Sequence, residues 1–220
     1  MADQLTLAFD TSAAHCAAAL LSGDTVLVSR VEEMQKGQAE RLMPLLEEVL
    51  SEAGKKWSDL DRIGVGIGPG NFTGIRISVS AARGLALSLG IPAIGVSALE
   101  AMAFTPAQNR QTLAVLDARQ GNVYTQLFAE GGQALDTPML RTEDEIRLGS
   151  PQGTSYIVGH NSTSLAARLG ADAVEARAKD LITAIARIGA ARAPDDTRPA
   201  PLYLRPADAA PPKDPAPVIL

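Results

Sequence analysis

Three short stretches of this chain hold side chains that could do chemistry. They are Asp10-Thr11-Ser12 at the end of an apolar run, Gly68-Pro69-Gly70-Asn71 ahead of a helical pattern, and Asp117-Ala118-Arg119 in the second half. Gly68 and Gly70 tolerate positive φ and bring the backbone close to whatever sits there, while Asn71 or Thr73 can cap the free amides of the first helical turn. Such a turn can bind an anion through backbone N–H groups and the helix dipole. The candidate anion or nucleotide contacts are Gly68, Gly70, Asn71 and Arg76. The competing reading is that the glycines only shape a tight turn and Gly74 only permits close packing. Neither the GK[ST] ending of a P-loop nor a GxGxxG spacing is present. Arg119 is suited to a phosphate or carboxylate, or to pairing within its own domain. His15 and His160 are the two histidines, and no HxxxH or CxxC spacing accompanies them, so no conventional metal site is written in the sequence. The single cysteine, Cys16, excludes an internal disulfide, fits a reducing cytoplasm and reads as a small core residue.

The element that must position the glycine turn runs from Arg62 to Leu89: a β-branched strand, Ile63 to Ile67, feeding a helix from Phe72 to Leu89. At 100° per residue Ile75, Val79, Ala82, Ala86 and Leu89 form one apolar stripe, as a helix covering its own sheet requires. A second stripe of Gly74, Ile77, Ser78, Ala81, Gly84, Leu85 and Ser88 is uncharged and nearly all small. A helix that is apolar or small on both sides is covered on both sides, here by another part of the chain or by a second protein.

The 220 residues suffice for one large domain or two small ones, and 46% hydrophobic with 20% charged residues is a globular composition. No basic segment precedes an apolar run at the N-terminus, and no stretch reaches the roughly 20 apolar residues of a membrane helix, so a cytoplasmic protein without membrane attachment is expected. The net charge is −5 and no Lys/Arg run occurs. Strong direct binding of tRNA or other nucleic acid is therefore not expected; another subunit should hold any RNA.

In chain order, Leu5–Phe9, Cys16–Leu21 and Thr25–Ser29 read as three antiparallel strands, and Glu32–Gln38 as a loop. A helix from Ala39 to Gly54 follows, with Leu42, Leu46, Val49 and Ala53 inward, Met43, Leu45 and Leu50 flanking, and glutamates at the wet edge. Pro92–Val96 reads as a buried strand, and Ser97-Ala98-Leu99-Glu100 as a capping box opening a short helix. Thr105–Arg110 is the best domain boundary. Beyond it the opening repeats: Thr6-Leu7-Ala8-Phe9-Asp10 is echoed by Thr112-Leu113-Ala114-Val115-Leu116-Asp117, and each copy continues with a polar turn, a strand, a glycine turn and another strand. Helical patterns at Ser162–Leu169 and Asp180–Arg192 follow a strand at Tyr156–Val158. The expected organisation is an N-terminal domain at 1–104, a smaller C-terminal domain at 105–206, and a mobile tail rich in proline and alanine at 207–220.

Duplicated halves that each open with three antiparallel strands, with an aspartate ending the first, match the RNase H-like fold of the actin/sugar-kinase/Hsp70 superfamily: α/β, mixed sheets with flanking helices, the second half reduced. Within it FDTS, AERLMPLLEEVL, GIGPGNFTGIRISVSAARGLAL, LDARQGNVY and PLYLRPADA resemble the TsaB (YeaZ) family as far as about residue 208. The resemblance implies a non-catalytic partner of a TsaD-like threonylcarbamoyltransferase, with a TsaE-like ATPase in the assembly, making threonylcarbamoyladenosine in tRNA. It places the partner interface on the N-terminal helices, and with the small-residue stripe the candidate interface residues are Glu40, Met43, Gly74, Ile77, Ser78, Ala81, Gly84, Leu85 and Ser88. It implies no metal and no tightly bound cofactor. Where TsaD-like members carry a metal-binding histidine pair this chain has Gln38-Ala39-Glu40, and no glycine follows Asp10 as it does in the superfamily kinases. A structural role for Asp10, accepting backbone N–H bonds at a turn, is the expectation. A nucleotide at the subunit joint and a homodimer in the partner's absence are both compatible with this reading. The rival readings are a small kinase or carbamoyl transferase using ATP between the halves, and a metal-dependent peptidase.

Overall fold

A computed structural model describes residues 3–104, 110–148, 155–174, 176–195 and 197–205. The first half builds strands β1 (Leu5–Asp10), β2 (His15–Ser22) and β3 (Thr25–Glu33), helix α1 (Gln38–Glu52), strand β4 (Arg62–Gly66), helix α2 (Phe72–Leu89), strand β5 (Ala93–Val96) and helix α3 (Ala98–Phe104). The second half follows the same programme with β6 (Thr112–Asp117), β7 (Asn122–Phe128), β8 (Met139–Thr142), β9 (Tyr156–Gly159), α4 (Ser162–Leu169), β10 (Asp172–Val174) and α5 (Ala178–Ala191). Where α1 stands in the first half, the described part of the second has a single 3-10 turn over Glu143–Glu145.

The duplication extends to topology. The first sheet runs β3-β2-β1-β4-β5 and the second β8-β7-β6-β9-β10, the same order with the same senses. The first three strands of each are antiparallel and the last two join in parallel. The chain thus has two mixed-sheet α/β halves of the RNase H-like kind.

Every residue of β1 is buried, because its sheet is covered on both faces. Leu5, Leu7 and Phe9 point into a core with Leu42, Leu46, Val49 and Ala82 of α1 and α2. Ala8, with Ala17, Ala19 and Leu21 of β2, points the other way, against Ile182, Ile185 and Ile188 of α5. The packing of the helices does not follow the order of the chain. Helix α5, encoded at the end of the second half, lies on the first sheet. Helix α3, encoded in the first half, presents Leu99, Met102 and Ala103 to Ala114, Tyr124, Phe128 and Val158 of the second. The two helices are exchanged, and they meet between the sheets. Gly64 and Gly189 allow the closest approach: a Cβ on Gly189 would stand 3.0 Å from the Gly64 Cα. Arg62 fastens the far end, donating from Nη1 to the carbonyls of Ala190 at 3.0 Å and Arg192 at 2.6 Å, the free C-terminal acceptors of α5.

Other differences from the sequence reading have local causes. Strand β3 continues to Glu33, beyond the expected end at Ser29, and takes in part of the stretch read as loop. Its outer residues are polar because it is an edge strand, and they pair with α1: Arg30 with Glu52, and Arg41 with both Glu32 at 2.6 Å and Glu48 at 2.7 Å. Leu45, expected at the flank of α1, is fully buried, whereas Met43 is 39% exposed. Strand β10 was not expected, since its three residues carry no alternating pattern. Of the expected boundary at 105–110 all but residue 110, and all of the expected tail at 207–220, lie outside the described residues. Among the described residues no helix is long and apolar enough to cross a membrane.

Candidate functional site

The ends of β1 and β6, where the two aspartates sit, face each other across a cleft of about 510 Å3 between the halves. On the first-half side the Asp10-Thr11-Ser12 turn is buried and closed upon itself. Asp10 Oδ2 accepts from His15 Nε2 at 2.7 Å and from Ser12 Oγ at 3.0 Å, and Oδ1 accepts from the Ser12 amide at 3.2 Å. Asp10 therefore staples the β1–β2 turn, as its expected structural role requires. Ser12 and His15 both bond to Asp10 and not to each other, so the three form no nucleophile–base relay. His15, five residues on at the start of β2, was not recognised as its partner. The available signal was the tightness of the intervening turn.

The glycine turn packs onto this staple. Asn71 donates its amide to Ser12 O at 2.7 Å, and its Oδ1 accepts from the amides of Thr73 at 3.0 Å and Gly74 at 3.3 Å, capping α2 as the sequence indicates. A Cβ on Gly70 would stand 2.3 Å from Ser12 O, and one on Gly74 1.9 Å from Thr11 O. Gly68, at φ +90°, turns the chain ahead of them. The glycines seat one loop on another, and the backbone amides of Asn71, Thr73 and Gly74 are engaged within the chain. Arg76 points away from the cleft floor: its Nε donates to Tyr203 Oη at 2.9 Å and its guanidinium carbon lies 3.8 Å from the Phe72 ring centre.

On the second-half side Asp117 Oδ1 accepts from the Arg119 amide at 2.8 Å. Arg119 has φ +63° and Gln120 +55°, an unusual left-handed pair at the cleft mouth. The expected pairing of Arg119 within its own domain is not seen: its guanidinium has no side-chain partner among the described residues. Gln38 is buried and donates from Nε2 to Met34 O at 3.1 Å. Among the described residues no three His, Cys, Asp or Glu side chains gather into a metal-binding group. Burial pushes the Cys16 thiol up to about 11, aided by nearby Glu32, which suits a core position and opposes thiolate chemistry.

The other candidate surface is the outer side of α1 and α2. The structure divides the second stripe of α2. Gly74 and Ser78 belong to the interior, where Ser78 Oγ donates to Gly66 O at 3.1 Å, and they leave the list of interface residues. Ile77, Ala81 and Leu85 are half-buried against the first core. Gly84 and Ser88 are exposed, with open space around the position of a Gly84 Cβ. On α1, Glu40 and Met43 face solvent. Leu87, which the sequence reading passed over, is 80% exposed. Its signal was an apolar residue on the arc of α2 that otherwise carries Arg76, Ser80 and Arg83.

Residues 30–175 match the model of the family described as "TsaD: tRNA N6-adenosine threonylcarbamoyltransferase". The tRNA threonylcarbamoyladenosine biosynthesis protein TsaB of Escherichia coli is 37% identical over 54% of this chain and 52% of its own length. That of Bacillus subtilis is 39% identical over 56% of this chain and 54% of its own. The matched region is thus about half the length of these relatives. A solved structure titled "YeaZ from Pseudomonas aeruginosa" superposes with a TM-score of 0.71 at 26% identity, covering 91% of this chain and all of that one.

Proposed function

The chain belongs to the TsaB/YeaZ family, within the reach of the TsaD family model, and from that membership we propose a non-catalytic subunit that docks a TsaD-like threonylcarbamoyltransferase for N6-threonylcarbamoyladenosine formation in tRNA. A TsaE-like ATPase completes the assembly, which works in the cytoplasm. The observation that carries the reading is the outer ridge of α1 and α2, where Leu87 is 80% and Met43 39% exposed. On α2 the bare backbone at Gly84, one turn from Leu87, permits close approach of a partner helix. Glu40, Ile77, Ala81, Leu85 and Ser88 border this ridge. With the partner absent, the same ridge can close on a second copy.

The interior supports an accessory role. Both Asp10 oxygens and the backbone amides of Asn71, Thr73 and Gly74 are engaged within the chain, so they do not stand ready for a metal-bound phosphate. The cleft of about 510 Å3 is the one observation that favours the alternative, a small ATP-dependent kinase or carbamoyl transferase acting alone. One experiment separates the two. The purified chain is mixed with a TsaD-like subunit, analysed by size-exclusion chromatography, and assayed alone for ATP hydrolysis. A co-eluting pair and no turnover by the isolated chain are expected; turnover that survives removal of contaminants would establish the alternative.

A further inference from the structure

The flank of α2 away from α1 carries a different surface. Arg76 and Arg83 are seven residues apart, so they lie on one side of the helix about 10 Å from each other. Each meets the segment 197–205, which runs alongside. Arg83 Nε donates to Pro199 O at 2.7 Å and Arg76 Nε to Tyr203 Oη at 2.9 Å. The segment is anchored to the sheet by the Leu202 amide on Ile67 O at 2.9 Å. It ends at the 118–120 turn, where Arg205 Nη2 donates to Gln120 Oε1 at 2.7 Å. Its course therefore places Arg83, Arg76 and Arg119 in sequence along one edge, from the middle of α2 to the cleft mouth.

Two properties distinguish this edge. None of the three arginines meets a carboxylate among the described residues, although the chain carries 25 Asp and Glu against 20 Lys and Arg. A guanidinium that gives one N–H to a phenol or a carbonyl keeps its full charge and its remaining donors. The edge also displays two rings, Phe72 and Tyr203, each 44% exposed, with centroids 5.0 Å apart and tilted by 30°. Arg76 lies against Phe72, which fixes the platform. Unneutralised guanidinium groups beside exposed rings match a polymer that alternates phosphates with flat bases lying free of a duplex stack.

We propose that the Arg83–Arg76–Arg119 edge, with the Phe72–Tyr203 platform, is a contact site for single-stranded RNA. It goes beyond the docking role: Arg76 and Arg83 share an arc of α2 with Leu87, whereas Ile77, Ala81 and Leu85 of the docking ridge lie further round the helix. Three phosphates are too few to hold RNA against a net charge of −5 under physiological salt, so the edge adds to the grip of an assembly.

The test uses the full chain and a fluorescein-labelled single-stranded RNA 12-mer of mixed sequence. Fluorescence anisotropy is followed from low to moderate salt, with an RNA duplex of equal length and a labelled glutamate-rich peptide as comparators. The RNA strand should bind better than the duplex, with a log–log salt slope of about −2, from about −0.7 per phosphate contact. Arg83→Gln and Arg119→Gln should each flatten the slope by about 0.7, and Arg83→Lys should restore it. Arg119 supports no side-chain contact of the fold, so its loss tests charge without releasing the segment. Phe72→Ala should weaken binding roughly 5- to 150-fold with the slope unchanged. Met43→Glu, aimed at the docking ridge on α1, should leave RNA binding intact, so failure of one reading is distinguishable from failure of the other. No binding at low salt, slopes unmoved by the arginine changes, or preference for the acidic peptide would each overturn the proposal.

Discussion

Gly84→Glu is the most informative single change because its two expected effects have opposite signs. Position 84 lies inside α2 and is exposed, and an added Cβ meets nothing within 4 Å. Glycine inside a helix is about 1 kcal/mol worse than alanine and glutamate about 0.4 kcal/mol worse, so the substitution should stabilise the isolated chain by about 0.5 kcal/mol. In a chain of this size that raises Tm by about 1–2 °C. At a closely packed interface the same carboxylate would be buried without a counter-charge, at a cost of about 3–5 kcal/mol, or two to three and a half orders of magnitude in Kd. Thermal unfolding of the free chain and titration calorimetry with the TsaD-like subunit give the two numbers separately. A Tm that is unchanged or higher with binding lost is the expected result. Normal binding would falsify the placement of the interface, and a lowered Tm would show that this side of α2 is covered by the chain itself.

Two further changes probe the interior and the edge of the first sheet. Gly74→Ala should destabilise by several kcal/mol, because its Cβ would stand 1.9 Å from Thr11 O, and backbone must move to relieve it; a denaturant midpoint close to that of the parent chain would contradict the loop-on-loop account. Arg41 holds the carboxyls of Glu32 and Glu48 below the usual carboxylate range through its hydrogen bonds. Groups with depressed folded pKa values stabilise fully above their unfolded values and lose that contribution as pH falls through the folded ones. Arg41→Met should therefore be less stable than the parent chain near neutrality, with the gap closing below about pH 4, where carboxylates protonate even unpaired. A gap that persists at pH 2 would assign the loss to packing of the arginine stem instead.

The strand and helix around the glycine turn were readable because their pattern is local: a β-branched run, a cap at Asn71 and a helix whose bounds, Phe72 and Leu89, match the expected ones. The repeat of strands was readable for the same reason, since each copy carries its own aspartate. The exchange of α3 and α5 was not, because an apolar helix face records that it is covered and not which sheet covers it. The split of the small-residue stripe has a similar origin. Gly74 and Gly84 are the same residue type on one helix, yet one meets the Thr11 carbonyl and the other open space. Leu87 and Tyr203 were missed as surface features because apolar residues are assigned inward by default.

The exchange of helices also sets the order in which the protein can be completed as it leaves the ribosome. The first sheet is whole once Val96 has been made, but its inner cover ends only at Ala191. At about 5–20 residues per second that face waits roughly 5–20 s for its helix. The side chains that wait are Ala8, Ala17 and Ala19 together with Leu21 and Val96, while the larger Leu7, Phe9 and Leu20 point to the side that α1 and α2 cover early. Each alanine offers less apolar area than a leucine or phenylalanine would to a neighbouring nascent chain or a chaperone. The same small side chains that let α5 sit close in the finished protein thus reduce the apolar area that the unfinished one exposes.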